Sequence, residues 1–231
     1  MLPSSNLTSM AALPDPILVV GAARSGTSLV AGILRTCGAF GGKLSERQVE
    51  NTTISNWLVS AYLREIGADQ KGQHPLPDFH NLPPADNWRR RVEGAIRLHG
   101  YKDGSAWFYK DVRTCLIWPI WMRAFPSATW IIVRREPADI IGSILATPSK
   151  KAFSAFEDWK RWLAHYESCF SAIKQTCNTR ELQTQPLIDG DFKELETVFH
   201  WAGLCFSEDA VKGFINPSLW VSSNASGTKG T

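Results

Sequence analysis

No stretch of this chain approaches the roughly 18 consecutive apolar residues that a membrane-spanning helix needs, so no membrane span is expected. The opening residues, MLPSSNLTSMAALPDP, have no basic stretch, and prolines break their apolar run. That pattern is not a secretory signal, and a cytoplasmic location is the expectation. Cysteine is sparse and unpatterned. Cys37, Cys115, Cys169, Cys177 and Cys205 form no C-x-x-C pair, which argues against a disulfide framework and for reduced thiols. The histidines, His74, His80, His99, His165 and His200, are scattered without ligand spacing, and no metal is expected. Charge of one sign is not in excess either. A formal net charge of +3 demands neither nucleic acid nor an anionic membrane as partner. The sequons at Asn6, Asn51 and Asn224 read as chance matches without a secretory signal. No internal repeat is visible.

What is present is an ordinary globular balance. The chain has 231 residues, 44% apolar and 20% charged, enough for one well-buried core. Residues 1–15 are expected to be a flexible arm, 16–220 a single domain and 221–231 a flexible tail. PILVVG (16–21) and ATWIIVRR (128–135) are short continuous apolar runs of the kind found in buried parallel strands. SAWFYKD (105–111) is a third strand candidate, and TQPLID (184–189) a fourth, placed at an edge by Pro186. Helical spacing appears at 28–38, 51–67, 85–99, 115–125, 137–146, 153–170 and 191–204, with Asp191 as a natural N-cap of the last. Within 51–67 the apolar positions are 54, 57, 58, 61 and 62; within 153–170 they include Phe156 and Trp159. Strands that alternate with helices and are continuously apolar imply an α/β fold with a parallel sheet covered on both faces. The segment 68–84 holds four prolines and reads as a long loop. Arg89–Arg91 reads as solvated surface charge.

The most informative segment is VVGAARSGTSLV (19–30). It runs from a strand through Gly21-Ala22-Ala23-Arg24-Ser25-Gly26-Thr27-Ser28 into a helix. Successive N–H groups and the helix N-terminus then face one point, where the dipole adds roughly half a positive charge. Glycine lets the backbone approach an anion closely. The spacing G-x-x-x-x-G-x-S fits a nucleotide phosphate loop except that Thr27 stands where a triphosphatase has Lys. A basic residue, Arg24, appears three places earlier. The plainer alternative is a tight strand–helix turn that binds nothing.

ARSGTS resembles the 5′-phosphosulfate loop of sulfotransferases, P-[KR]-x-G-T-[ST], with Ala23 at the place of Pro. By that resemblance the fold is three-layer α/β/α around a central parallel sheet, a P-loop NTPase-like sulfotransferase fold. The cosubstrate is then 3′-phosphoadenosine 5′-phosphosulfate (PAPS), and the product adenosine 3′,5′-bisphosphate. Arg24 would contact the 5′-phosphate and the bridging oxygen, and Ser25, Gly26, Thr27 and Ser28 would hold the 5′-phosphate. Arg134-Arg135-Glu136-Pro137, with Ser143 eight residues after Arg135, resembles the family's 3′-phosphate motif, with Glu136 replacing Asn or Asp. An Arg at a strand's C-terminal edge and a Ser on the next helix can reach one phosphate, the guanidinium by a charge-assisted fork. Arg134 alternates to the other side and reads as structural. Trp107-Phe108-Tyr109-Lys110-Asp111-Val112-Arg113 resembles the W-x-x-K-D-P-R segment of bacterial and Golgi-type members, and the resemblance implies a catalytic role for Lys110.

The acceptor, a small molecule or a glycan or peptide, must lose a proton during transfer. The cytosolic-type His base is missing, because Val112 stands at its place. Gln48-Val49-Glu50-Asn51-Thr52-Thr53 resembles the G-x-x-E-[ND] phrase of other members, which makes Glu50 the expected base and Glu46 the alternative. Either could instead be a solvated residue at a helix start. The loop 68–84 is expected to cover the acceptor side. Two other readings stay open. A P-loop kinase or NTPase would need an acidic strand end, for which Asp189 is the candidate; a non-catalytic interaction protein could retain the same fold.

Overall fold

The structure, a computed structural model, describes residues 12–147 and 153–216. The expected tail and most of the expected arm lie outside the described residues.

The first apolar run forms β1 (Ile17–Val20), and the glycine-containing turn leads into α1 (Thr27–Thr36). A helical stretch follows as α2 (Thr52–Ile54), a π-helical turn (Ser55–Val59) and α3 (Ser60–Glu65). After the long loop come α4 (Trp88–Leu98), β2 (Phe108–Lys110), a 3₁₀ turn (Val112–Ile117), α5 (Trp118–Ala124) and β3 (Thr129–Arg134). The C-terminal part holds α6 (Pro137–Leu145), α7 (Phe156–Thr176), β4 (Asn178–Gln183), α8 (Thr184–Ile188), α9 (Lys193–Trp201) and α10 (Glu208–Phe214).

The four strands form one sheet in the order β2-β1-β3-β4, and every pairing is parallel. Period-two alternation divides the core. Leu18, Val20, Tyr109, Trp130 and Ile132 pack on one side with residues of α3 to α7. Ile17, Val19, Phe108, Ile131, Val133 and Leu182 pack on the other side with α1, α9 and α10. Helices thus cover both faces of a parallel sheet, the α/β/α arrangement expected.

Several local expectations need correction. Residues 184–189 are not the edge strand; Thr184–Ile188 is a short helix with Pro186 in its first turn, where a missing N–H is harmless. The edge strand lies just before it, at Asn178–Gln183. Its sequence, NTRELQ, is polar because only Leu182 is buried, so no apolar run marks it. Trp57 is not on the buried face of its helix but 74% exposed. The π-helical turn inserts an extra residue into the repeat, and Ile54, Leu58 and Tyr62 point inward without Trp57. Phe156 begins α7 and stays exposed, whereas Trp159, Trp162, Leu163 and Tyr166 are buried. Asp191 is not the cap itself; Phe192 holds that place, and the Asp191 carboxylate accepts from the Lys193 N–H at 3.1 Å. Near the expected arm, Leu13 is buried and Asp15 pairs with Arg89 at 2.8 Å. Arg89 also donates to Glu93 and to the carbonyls of Leu13 and Ala124, so this arginine is a clasp between α4 and the chain's early residues.

A buried polar knot locks the sheet's first edge. Arg113 donates to Asp111 through Nε at 2.8 Å and Nη2 at 2.5 Å. Its Nη1 reaches Ser60 Oγ and Gln70 O, both at 2.7 Å. Tyr109 donates to Asp111 Oδ2 at 3.0 Å and sits 3.0 Å from Ser55 Oγ, inside the π-helical turn. Burial alone would raise the Asp111 pKa, but the Arg113 charge and hydrogen bonds bring it below the ordinary carboxylate value. Because the native pKa is the lower one, this stabilisation is complete above the unfolded carboxylate pKa. It is lost as pH falls through the native value. Asp111→Ala should cost about 3–5 kcal/mol in urea denaturation at neutral pH, because a buried guanidinium loses its partner. Adding Arg113→Leu to Asp111→Ala should recover part of that loss. A single-variant loss under about 1 kcal/mol, within the range of a surface pair, would contradict this reading of the knot.

Candidate active site

The C-terminal ends of β1, β2 and β3 open onto one cleft of about 590 Å³. At the end of β1 the chain turns tightly. A methyl group at Gly21 would lie 2.6 Å from Ser25 Oγ and 2.8 Å from Val133 O, so only glycine fits beneath the loop. Arg24 (φ 75°) and Gly26 (φ 99°) both take left-handed conformations, and Ser25 N–H closes the turn on Ala22 O at 3.1 Å. Gly26 caps α1 and its carbonyl accepts from the N–H groups of Leu29 and Val30 at 3.0 and 3.2 Å, so the N-terminus of the helix, Thr27 to Leu29, lies at the cleft wall. Ser25 Oγ is buried without a hydrogen-bond partner among the described residues.

The end of β3 supplies the second part. Arg135 is buried and donates Nη1 to Arg24 O at 3.0 Å. Ser143, buried on α6, accepts from Arg24 Nε at 2.9 Å. The loop and the Arg135–Ser143 pair are therefore joined directly across the cleft. Thr184, fully buried at the start of α8, places its hydroxyl 3.1 Å from Ser25 O and 3.0 Å from Arg134 O, fastening the loop to β3. Burial lowers the pKa of Arg24, and the nearby Arg47 lowers it further. Burial also lowers that of Arg135; Asp139 opposes the shift and Arg24 adds to it. These guanidiniums crowd one another in a way that an anion would relieve.

The end of β2 supplies the third part. Lys110 is almost fully buried. Its Nζ donates to Glu50 Oε1 at 2.9 Å, Gln48 O at 3.0 Å and Ser28 Oγ at 3.2 Å. Ser28 Oγ in turn donates to Gln48 O at 3.0 Å. Burial raises the Glu50 pKa above the ordinary value and Asp111 adds to this, while the Lys110 charge and hydrogen bond oppose it. Glu50 is held by backbone exchange with Ser45: Ser45 N–H donates to Glu50 O at 2.9 Å, and Glu50 N–H to Ser45 Oγ at 3.2 Å. Val49 between them adopts φ 56°, an unusual conformation for a β-branched residue.

Arg24, Gly26, Thr27, Ser28, Glu46, Glu50, Lys110, Arg135 and Ser143 all line this cleft. Ser25 lies just beneath its surface. Glu46 is exposed at the mouth and makes no contact like the Glu50–Lys110 pair among the described residues. Arg134 stands apart, bonded to Glu167 at 2.7 Å and stacked over Phe170. The loop 68–84 does not line the cleft. It is pinned on α7 instead, where Gly72 O accepts from Trp162 Nε1 at 2.8 Å and Tyr166 OH at 3.0 Å. No tryptophan lines the cleft among the described residues. Sequence reasoning missed Arg47, Thr184, Phe214 and Asn216. Arg47 stood in plain view within ERQVEN, but nothing local marked its direction. Phe214 reaches the cleft by crossing α1 at Gly32, where a methyl group would lie 2.1 Å from its ring.

Comparisons with known proteins agree with this architecture. The sulfotransferase domain of the curacin biosynthetic pathway superposes with a TM-score of 0.61 at 13% identity, covering 92% of this chain and 85% of that one. The sulfotransferase domain of the Synechococcus PCC 7002 olefin synthase gives a TM-score of 0.57 at 14% identity, over 90% of this chain and 79% of the other. A sulfotransferase of Mycobacterium tuberculosis gives 0.50 at 15% identity, over 93% of this chain and 73% of that one. At such identities the likeness speaks for the fold alone. No curated protein matches the sequence significantly. The sequence does match the profile of the sulfotransferase family over residues 16–208, which span all four strands and the whole charged cleft except its last helix end, and on that match the chain belongs to the sulfotransferase family.

Proposed function

We propose that the cleft moves the sulfuryl group of PAPS to a hydroxyl or amine acceptor by in-line displacement. The observation that carries this reading is the pair of arginine-based anion sites at the two sides of one cleft, joined by the 2.9 Å bond from Arg24 to Ser143. A nucleotide with separate 5′- and 3′-phosphates suits two such sites, whereas a linear triphosphate needs only one. The site also fits such a ligand locally. Ser25 Oγ lacks a partner among the described residues, and burial disfavours the charged form of both guanidiniums. An anion would offset both.

In the reaction the acceptor oxygen forms a bond to sulfur while the bond from sulfur to the bridging oxygen breaks. The electron pair leaves with the 5′-phosphate of adenosine 3′,5′-bisphosphate. The acceptor proton goes to Glu50. Arg24, Ser25, Gly26, Thr27 and Ser28 hold the 5′-phosphosulfate, and Arg24 neutralises charge that develops on the bridging oxygen. Arg135 and Ser143 hold the 3′-phosphate. Lys110 fixes the Glu50 carboxylate by its 2.9 Å bond and adds positive charge at the cleft floor. The raised Glu50 pKa makes it a stronger base than a solvated carboxylate. A reducing, cytoplasmic setting suits the free cysteines Cys37, Cys115, Cys169, Cys177 and Cys205.

The kinase reading has less support. Thr27 is buried where Lys would be needed, and Asp189 is exposed at the end of α8, where its carboxylate accepts from Gln185 Nε2 at 3.0 Å. A binding-only role also has less support, because a cation-paired, half-buried carboxylate beside the phosphate loop is a catalytic arrangement.

Adenosine 3′,5′-bisphosphate should stabilise the protein without Mg²⁺, by about 2.7 kcal/mol at 100 times its Kd. Stabilisation by ATP with Mg²⁺ and not by the bisphosphate would favour the kinase. Arg135→Ala should weaken donor binding with little change in the single-turnover rate, while Arg24→Ala should slow that rate as well. Pure binding defects in both variants would contradict that division of roles. Glu50→Gln should cut transfer by about 10²–10⁴-fold with bisphosphate binding intact. In the parent, kcat/KM should rise with pH as Glu50 ionises, along a limb above the ordinary carboxylate range. Lys110→Met removes an opposing charge, so that limb should move further up. A Glu46→Gln variant that loses transfer while Glu50→Gln retains it would reassign the base.

A further inference from the structure

Arg47 has no role in the reaction just described, yet it projects into the same cleft. It lines the cleft together with the phosphate loop, on the turn Glu46–Glu50 that carries the base. It makes no hydrogen bond or ion pair among the described residues. Its charge is close enough to Arg24 to lower that residue's pKa. An unpaired cation held beside a second cation is unfavourable unless an anion arrives.

The depth of the residues indicates which anion that is. Of the groups assigned to the donor, Ser25, Thr27, Arg135 and Ser143 are buried and Arg24, Gly26 and Ser28 are half-buried. Arg47 is exposed and lines the cleft three residues from Glu50 on the same turn. A donor seated on the buried set leaves Arg47 facing whatever enters next to the base, which is the acceptor. The turn is also firmly set, with Ser45 and Glu50 exchanging hydrogen bonds and Val49 in a left-handed conformation. We infer that Arg47 selects acceptors carrying a negative charge, a carboxylate or an acid ester, near the hydroxyl that is sulfated. This rests on the sulfuryl-transfer reading above.

The test compares size-matched acceptors that differ in charge. One series is 4-hydroxyphenylacetate, tyrosol and tyramine; the other is glucuronate, glucose and glucosamine. Transfer from radiolabelled PAPS is measured for the parent, Arg47→Ala and Arg47→Glu, and adenosine 3′,5′-bisphosphate affinity is measured for each. The parent should favour the anionic member of at least one series by roughly 10- to 100-fold in kcat/KM, the range of a charge-assisted contact. The preference should shrink as salt is raised, because Arg47 is exposed. Arg47→Ala should abolish it and Arg47→Glu should turn it toward the cationic member, with bisphosphate affinity within about twofold of the parent. No faster reaction of any anionic member, or a preference that survives Arg47→Ala, overturns the assignment. A tenfold or greater loss of bisphosphate affinity in Arg47→Ala, with acceptor preference unchanged, assigns Arg47 to the donor and also overturns it. Failure of the bisphosphate to bind the parent at all is a different result, since it removes the PAPS reading itself.

Discussion

Everything in the cleft depends on three parallel strands ending side by side. β1 lies between β2 and β3, so the Gly21–Ser28 loop, Lys110 and Arg135 emerge from neighbouring positions on one edge of the sheet. A parallel sheet buried on both faces cannot shift one strand without moving its apolar residues off their layers. That rigidity lets like charges remain close. Beyond the effect of burial, Arg47 lowers the proton affinity of Arg24 and Arg24 lowers that of Arg135, yet Arg135 is anchored to Arg24 O at 3.0 Å and Arg24 Nε to Ser143 Oγ at 2.9 Å. On the proposed reading, a bound anion relieves that repulsion.

The same edge separates two kinds of cation. Lys110 is already paired: its ammonium satisfies Glu50, Gln48 O and Ser28 Oγ together. It ties the Gly21–Ser28 loop to the turn that carries Glu50. Among the described residues the Arg24 side chain is paired only with a neutral hydroxyl, Ser143, so its full charge stays available. Behind both, the Asp111–Arg113 knot joins β2 to the π-helical turn at Ser55 and Ser60 and to the loop at Gln70. Its partners are neutralised within the core, so the knot sets position and leaves the cleft's net charge positive.

Much of the fold was legible in the sequence where burial was two-sided. The runs at 16–21 and 128–135 gave strands because nothing but apolar side chains fits the middle of a covered sheet. β4 was missed because an edge strand with one buried residue carries no such mark. Trp57 misled because a π-helical turn breaks the 3.6-residue repeat, and its cause, the contacts of Ser55 and Ser60 with Arg113 and Tyr109, is tertiary. In the cleft, the residues on strand ends and helix starts could be read from local spacing. Arg47 and Phe214 could not, because a turn and a helix crossing bring them there, nor could Thr184, which fastens the loop from beneath at the start of a short helix.

The central claim is that one nucleotide occupies both anion sites. A crystal structure with adenosine 3′,5′-bisphosphate tests it most directly. The 5′-phosphate should accept hydrogen bonds from the loop Arg24–Ser28, and the 3′-phosphate from Arg135 and Ser143, with no metal ion between them. A nucleotide with only one phosphate in the cleft, or bound elsewhere on the molecule, would contradict the account.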